Sequence, residues 1–146
     1  MLPKLVTLTE NKPTYATEFD ACCDIQATVE MYIMKGSRAL VPTGLKFEPL
    51  GFWQRWLLNL LPFRFMLRLL PRSGAAVKGV DIGAGVVDVQ YTKEIFVLII
   101  NNTNDTLRIR PGDRIAQATW LVGLRVSGAV VNKCDRIGGF GSSNGG

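Results

Sequence analysis

The sequence predicts an all-β fold, a small barrel or jelly roll, on three observations. Short runs of alternating or β-branched apolar residues recur along the chain, each cut off by Gly, Pro, Asn or Asp. No segment carries the pattern of a clear long amphipathic helix. And 146 residues suffice for one domain with a real core, leaving little room for a second.

Taken in order, Lys4–Thr9 alternates apolar and polar residues as a half-buried strand does. Thr28–Met34 and Arg38–Val41 are predicted strands on either side of a Lys35-Gly36-Ser37 turn. Pro42-Thr43-Gly44 marks a break before a further strand at Leu45–Glu48. Glu94–Ile100 is strongly β-branched and apolar, and Asn101–Asp105 reads as a loop. Thr106–Ile109 alternates again, Arg110-Pro111-Gly112-Asp113 turns the chain, and Ile115–Val122 is the next strand. Gly128–Val131 is expected to close the set.

Two segments depart from this pattern. Phe52–Leu70 is rich in Trp, Phe and Leu, with Arg55, Arg64 and Arg68 scattered through it. A membrane span needs about 20 mostly apolar residues, and Pro62 and arginines interrupt this one. From Gly138 onward the sequence GGFGSSNGG is too glycine-rich to fold independently.

Composition removes whole classes of chemistry. There is no histidine, which excludes a Ser-His-Asp triad, an imidazole proton shuttle and a histidine zinc site. Acid–base work falls to carboxylates, lysine or tyrosine. Of the three cysteines, Cys22 and Cys23 are adjacent and Cys134 is distant, so no CxxC pair exists. That count suits a reducing compartment, and Met1–Glu10 lacks the pattern of a secretory signal. The expected location is therefore intracellular, cytoplasmic or nuclear. A net charge of +5 favours a polyanionic partner, whether nucleic acid, nucleotide or anionic membrane.

Several short segments carry candidate chemistry. Pro71-Arg72-Ser73-Gly74 places a cation, a hydroxyl and close-approaching backbone amides at one turn, as a triphosphate requires. Alone, it reads more simply as a surface turn with a solvated arginine. Gly85–Tyr91 holds Asp88, a carboxylate that can orient or deprotonate water without histidine if held within hydrogen-bond reach. Alone, this is a hairpin in which Asp88 bonds the turn. Ala21–Ile25, Gly112–Gln117 and Gly138–Ser143 complete the set.

All five segments together, in this order and with Pro42-Thr43-Gly44-Leu45 ahead of the second, resemble the trimeric deoxyuridine triphosphatase (dUTPase) family. The resemblance covers nearly the whole chain apart from Phe52–Leu70. It implies a distorted jelly-roll barrel, with residues 1–134 as the core and 135–146 as a flexible arm closing over a neighbouring site. It implies a homotrimer whose sites each draw on three subunits, and Mg²⁺-dependent hydrolysis of dUTP to dUMP and pyrophosphate.

The resemblance also distributes roles. Asp88 activates the water, Arg72, Ser73 and Gly74 meet the phosphate chain, and Gln117 donates to a phosphate oxygen. The hairpin backbone at Gly85, Val86 and Val87 reads uracil, with Gly83 and Gly85 allowing close approach. Tyr91 packs under the deoxyribose. Asp24 holds magnesium through water, which suits an ion that keeps several waters. Arg136 neutralises terminal phosphate charge and Phe140 stacks on the base. Gly141, Ser142 and Ser143 reach the γ-phosphate, with Gly138 and Gly139 permitting closure. Asp113 and Arg114 are expected to be structural, forming a turn and a buried or interface ion pair.

The sequence departs from the family's pattern at Gln90, where a second Asp is usual, and at Lys93 and Cys22, where glycine is usual. Ser143 stands where threonine is more common. Both Gly51–Arg55 and Phe63–Arg68 can serve as the strand that leads into Pro71, so an insertion of about 13 residues, the spacing of Arg55 and Arg68, is expected. It is read as a longer hairpin, or alternatively as an exposed apolar, arginine-bearing loop for a protein partner or membrane surface. The competing function is accordingly a dUTPase-fold interaction protein with weak or lost catalysis. A deoxycytidine triphosphate deaminase is less consistent, since that branch needs a glutamate and Phe96–Ile100 has none. No stable nucleic-acid binding is expected, because no stacking platform or recognition helix is present.

Overall fold

The computed structural model describes residues 3–131. Ten strands and two short helices follow one another as β1 (Leu5–Thr7), β2 (Cys23–Gln26), β3 (Met31–Ile33), β4 (Arg38–Phe47), α1 (Phe52–Leu60), β5 (Phe63–Leu70), α2 (Ser73–Val77), β6 (Val80–Gly83), β7 (Val86–Asp88), β8 (Ile95–Asn101), β9 (Leu107–Ile109) and β10 (Arg114–Leu124). One sheet runs β1-β4-β8-β6, a second β2-β10-β5-β7, and β3 and β9 form a two-stranded ribbon. Every pairing is antiparallel. The expected all-β jelly roll is thus observed, and residues 3–131 lie within the expected 1–134 core.

Period-two burial makes the core. Strand β8 is apolar throughout, yet Ile95, Val97 and Ile99 point inward and are almost fully buried while Phe96, Leu98 and Ile100 are half-buried. The inward residues meet Val41, Leu45 and Phe47 of β4 and Ile25, Leu67 and Leu69 of the facing sheet. The break expected at Pro42-Thr43-Gly44 is instead a register shift within one long strand, β4. Gly44 sits there at φ +67°, and a Cβ would fall 2.9 Å from the Thr9 side chain. A β-branched or bulky residue is excluded on both counts. Gly128–Val131, expected as a strand, is turn and irregular chain.

The Phe52–Leu70 segment resolves into two unlike pieces. Phe63–Leu70 is the strand: β5 pairs with β10 along its full length, from Phe63 opposite Leu124 to Leu70 opposite Gln117. The extra residues are α1, not a longer hairpin. Its apolar residues recur at helical spacing, and the Gln54 side chain accepts from the Gly51 N–H at 2.9 Å, one half of a capping box. Pro62 ends it by forcing Leu61 into extended backbone, observed at φ −92°, ψ 140°. Only Leu58 of α1 is buried. No helix among the described residues is long and apolar enough to cross a membrane.

Candidate active site

The C-terminal end of β5 delivers the phosphate turn. Pro71 and Arg72 leave the strand in extended backbone, and α2 begins at Ser73 with Arg72 as its N-cap (φ −70°, ψ 142°). The Arg72 carbonyl accepts the first helical hydrogen bonds, from Ala75 and Ala76. The amides of Ser73 and Gly74 precede those bonds, at the helix start where N–H groups lack intrahelical partners. A Cβ at Gly74 would meet nothing within 4 Å, so what the glycine leaves open there is space rather than a strained backbone.

Two neighbouring strands brace this turn. Gln117 of β10 donates from Nε2 to the Pro71 carbonyl at 3.0 Å. Asp24 of β2 accepts from Arg72 Nε at 3.0 Å through one carboxylate oxygen and from Arg114 at 3.3 Å through the other. The Asp24 side chain is 14% exposed against 36% for Arg72, so the pair is partly shielded from solvent screening. Of the expected buried or interface ion pair, the structure gives Arg114 a half-exposed pairing with Asp24. Asp113 does make the expected turn, accepting from the Arg110 N–H at 2.8 Å.

Asp24, Arg72 and Gln117 line one open cavity of about 740 Å³, together with Cys22, Ser73, Gly74, Lys78 and the exposed loop residue Asp20. Hydrogen bonds from Thr17 hold the Asp20 carboxyl below its ordinary range. The sequence reading missed Lys78, a second cation on the cavity wall. Its place just after the short helix that Arg72 opens was the available signal. The adjacent Cys23 faces the core, where burial pushes its thiol up, and donates weakly to the Ala118 carbonyl.

The hairpin residues lie elsewhere. Strand β7 pairs with β5 so that Val86 faces Arg68, Val87 faces Leu67 and Asp88 faces Met66. Met66 precedes Arg72 by six residues, about 20 Å at the rise of an extended chain. One chain therefore separates Asp88 from the phosphate turn, and neither Asp88 nor Tyr91 borders the cavity. Asp88 and Val86 are exposed, while Val87 packs on the core. Tyr91 rests against the core and donates to the Glu94 carbonyl at 3.1 Å; burial, then the Glu94 charge, raise its phenol.

Gly85 packs closely against the end of β5. Its carbonyl accepts from Leu69 N–H at 2.6 Å, and a Cβ would come within 2.5 Å of the Leu69 oxygen. Ala84 before it sits at φ 47°, a left-handed conformation rarely adopted outside glycine. Arg136, Phe140, Gly141, Ser142 and Ser143 lie outside the described residues, as does Cys134.

No cluster of three or more Cys, Asp or Glu side chains able to hold an ion exists among the described residues. Asp24 is braced by two guanidinium groups, so it can reach an ion only as one outer partner. Among the described residues, Asp24 therefore suits an outer, water-mediated role toward an ion.

Comparison with known proteins adds an independent line. The family model for dUTPase matches residues 59–143, more than half of the chain. A deoxyuridine 5'-triphosphate nucleotidohydrolase of Oryza sativa is 32% identical over 149 aligned positions, covering 97% of this chain and 80% of its own. That of Laribacter hongkongensis is 33% identical, covering 93% and 90%. Among solved structures, the dUTPase of Staphylococcus bacteriophage 80alpha, determined with dUpNHpp, superposes with a TM-score of 0.69 at 19% identity, covering 97% of each chain. The fold match is therefore extensive where the sequences have diverged widely.

Proposed function

The chain belongs to the dUTPase family and is a dUTP diphosphatase, and from that premise we propose how its residues divide the reaction. Water attacks the α-phosphorus of dUTP, Asp88 takes the proton, and the bond to the bridging oxygen breaks to give dUMP and pyrophosphate. Arg72, Lys78 and the Ser73 hydroxyl stabilise the charge that gathers on the leaving pyrophosphate. Gln117 holds the turn through Pro71 and keeps a second amide N–H to offer the phosphates. Gly85, Val86 and Val87 present backbone to uracil, and Tyr91 fills the space a 2′-hydroxyl would need. Asp24 would hold a bound Mg²⁺ through water, and the ion would supply neutralisation of phosphate charge.

One observation carries the assembly: Asp88 and the phosphate turn lie about 20 Å apart along β5 within one chain. A complete site therefore needs the hairpin of one subunit beside the turn of another, in a homotrimer with the 135–146 arm supplied by the third. The outward face of β4 and β8, with Leu40, Pro42, Phe96 and Leu98 in register, offers apolar surface suited to such contacts. A dUTPase-fold protein without catalysis is not favoured, because Asp24, Arg72, Ser73 and Gln117 still share one cavity.

The test is complementation between two inactive variants. Asp88→Asn and Arg72→Ala are each expected to be nearly inert towards dUTP. Unfolded, mixed in equal amounts and refolded, they should regain about a quarter of wild-type pyrophosphate release, since that share of mixed sites pairs an intact Asp88 with an intact Arg72. No recovery would place both groups in a single chain's site and sink the shared arrangement. Comparable turnover of UTP or dTTP would separately sink the selectivity assigned to Tyr91 and the hairpin.

A further inference from the structure

Helix α1 carries a surface for which dUTP hydrolysis has no use. Phe52, Trp53, Trp56, Leu57 and Leu60 occupy positions i, i+1, i+4, i+5 and i+8, an arc of about 140° on the helix. Their exposures are 76%, 72%, 50%, 43% and 65%. The three rings touch edge to face, Phe52 on Trp53 at 5.7 Å and Trp53 on Trp56 at 6.3 Å, so the stripe is one continuous convex ridge.

The sequence that carries the ridge is basic, with no acidic residue in α1 or β5. Between Glu48 and Asp81 the chain has no acidic residue, while Arg55, Arg64, Arg68, Arg72 and Lys78 are basic. Arg55 stands on α1 at the margin of the stripe. Arg64 is fixed at the turn into β5, donating to the Leu61 carbonyl at 2.8 Å and the Phe63 carbonyl at 2.9 Å. Arg125 follows Leu124, the residue paired with Phe63 at the same end of the sheet.

We propose that α1 is an interfacial anchor that seats the protein on an anionic lipid bilayer. Indole and phenyl rings favour the headgroup level, where an apolar body meets lipid and a polar edge stays wet. Flanking arginines pair with lipid phosphates. A convex ridge makes no demand on the shape of its partner, which a fluid bilayer meets and a folded protein meets only with a matching groove. Nine residues rise about 13 Å, so α1 lies on the membrane and does not span it. It sits at the start of β5, whose eight residues carry the chain about 26 Å to the phosphate turn, clear of the seated surface. The inference stands independently of how the reaction is divided among residues.

The test uses the full chain and sucrose-loaded vesicles. Partitioning should be at least about tenfold stronger onto an equal mixture of phosphatidylcholine and phosphatidylglycerol than onto phosphatidylcholine alone, given flanking arginines that each add to the attraction. Tryptophan emission should shift to the blue, since two of the three tryptophans lie on α1. The variant Trp53→Glu/Trp56→Glu should lose at least tenfold in partitioning while still hydrolysing dUTP, which shows that it folds. Wild-type protein that ignores the mixed vesicles overturns the proposal, and so does a double variant that binds them equally. If light scattering instead shows the double variant changing oligomeric state while the wild type ignores lipid, the ridge is a contact between copies and the proposal falls.

Discussion

Strand β5 ends in two unlike regions. At its C-terminal end the polar side chains of the phosphate turn are tied to named partners: Arg72 and Arg114 to Asp24, Gln117 to Pro71. At its N-terminal end the aromatic rings of α1 touch one another, and Leu58 alone is buried beneath them. The first end is a network in which each residue fixes the next. The second is a surface attached by one side chain. Substitutions at the first should therefore change chemistry, and substitutions at the second should change what the exterior meets.

The largest effect is expected midway along the strand, at Asp88 opposite Met66. Asp88→Asn keeps the shape but cannot take a proton, and kcat should fall about 10³-fold. A fall in kcat/KM carried by KM alone would show Asp88 to be a binding group. Next comes the turn itself. Arg72→Ala removes a phosphate cation and leaves Asp24 with Arg114 alone, so kcat/KM should fall about 10²-fold. A variant with full activity would make the Asp24–Arg72 pair purely structural and erase the contrast between the two ends.

The two ends also differ in how far they could be read from sequence. Phosphate chemistry needs particular residue types at fixed spacing, so Arg72, Ser73, Gln117 and Asp24 were legible only through the five segments taken together, and the structure brings them to one cavity. Strands such as β8 and β10 were legible because their apolar, β-branched runs are bounded by turn residues. The helix was not. Gly51–Arg55 matched an aromatic strand of the family, and nine residues are too few for periodicity to overrule composition. Strands β2, β6 and β7 have three or four residues each and are set by pairing with β10, β8 and β5, which local sequence does not record. Gly85 was singled out for ligand access, and the structure adds a packing reason for it that sequence does not record, the nearby Leu69 carbonyl.

A third comparison concerns stability. Leu58 is 5% exposed and is the only buried residue of α1. Leu58→Ala deletes most of the apolar contact that holds the helix on the body, at a cost of about 2–3 kcal/mol by thermal or urea unfolding. Because α1 lies outside the paired sheets, the loss should appear as early proteolysis between residues 49 and 62, ahead of global unfolding. Coincident proteolysis and unfolding would mean that α1 belongs to the core's cooperative unit.

The smallest effect belongs to the exposed ridge of the same helix. Phe52 is 76% exposed at the first position of α1, touching the Trp53 ring at 5.7 Å. Phe52→Ser removes little buried area, and serine is a tolerable residue near a helix start, so stability should change by less than about 0.5 kcal/mol. The sign of any larger shift is informative. A loss of about 2 kcal/mol that grows with protein concentration would mean that the ring is covered in the assembled oligomer, since mass action ties such a contact to association. A loss independent of concentration would mean that Phe52 anchors α1 beside Leu58, and the two ends of β5 would then differ in chemistry but not in how firmly they are held.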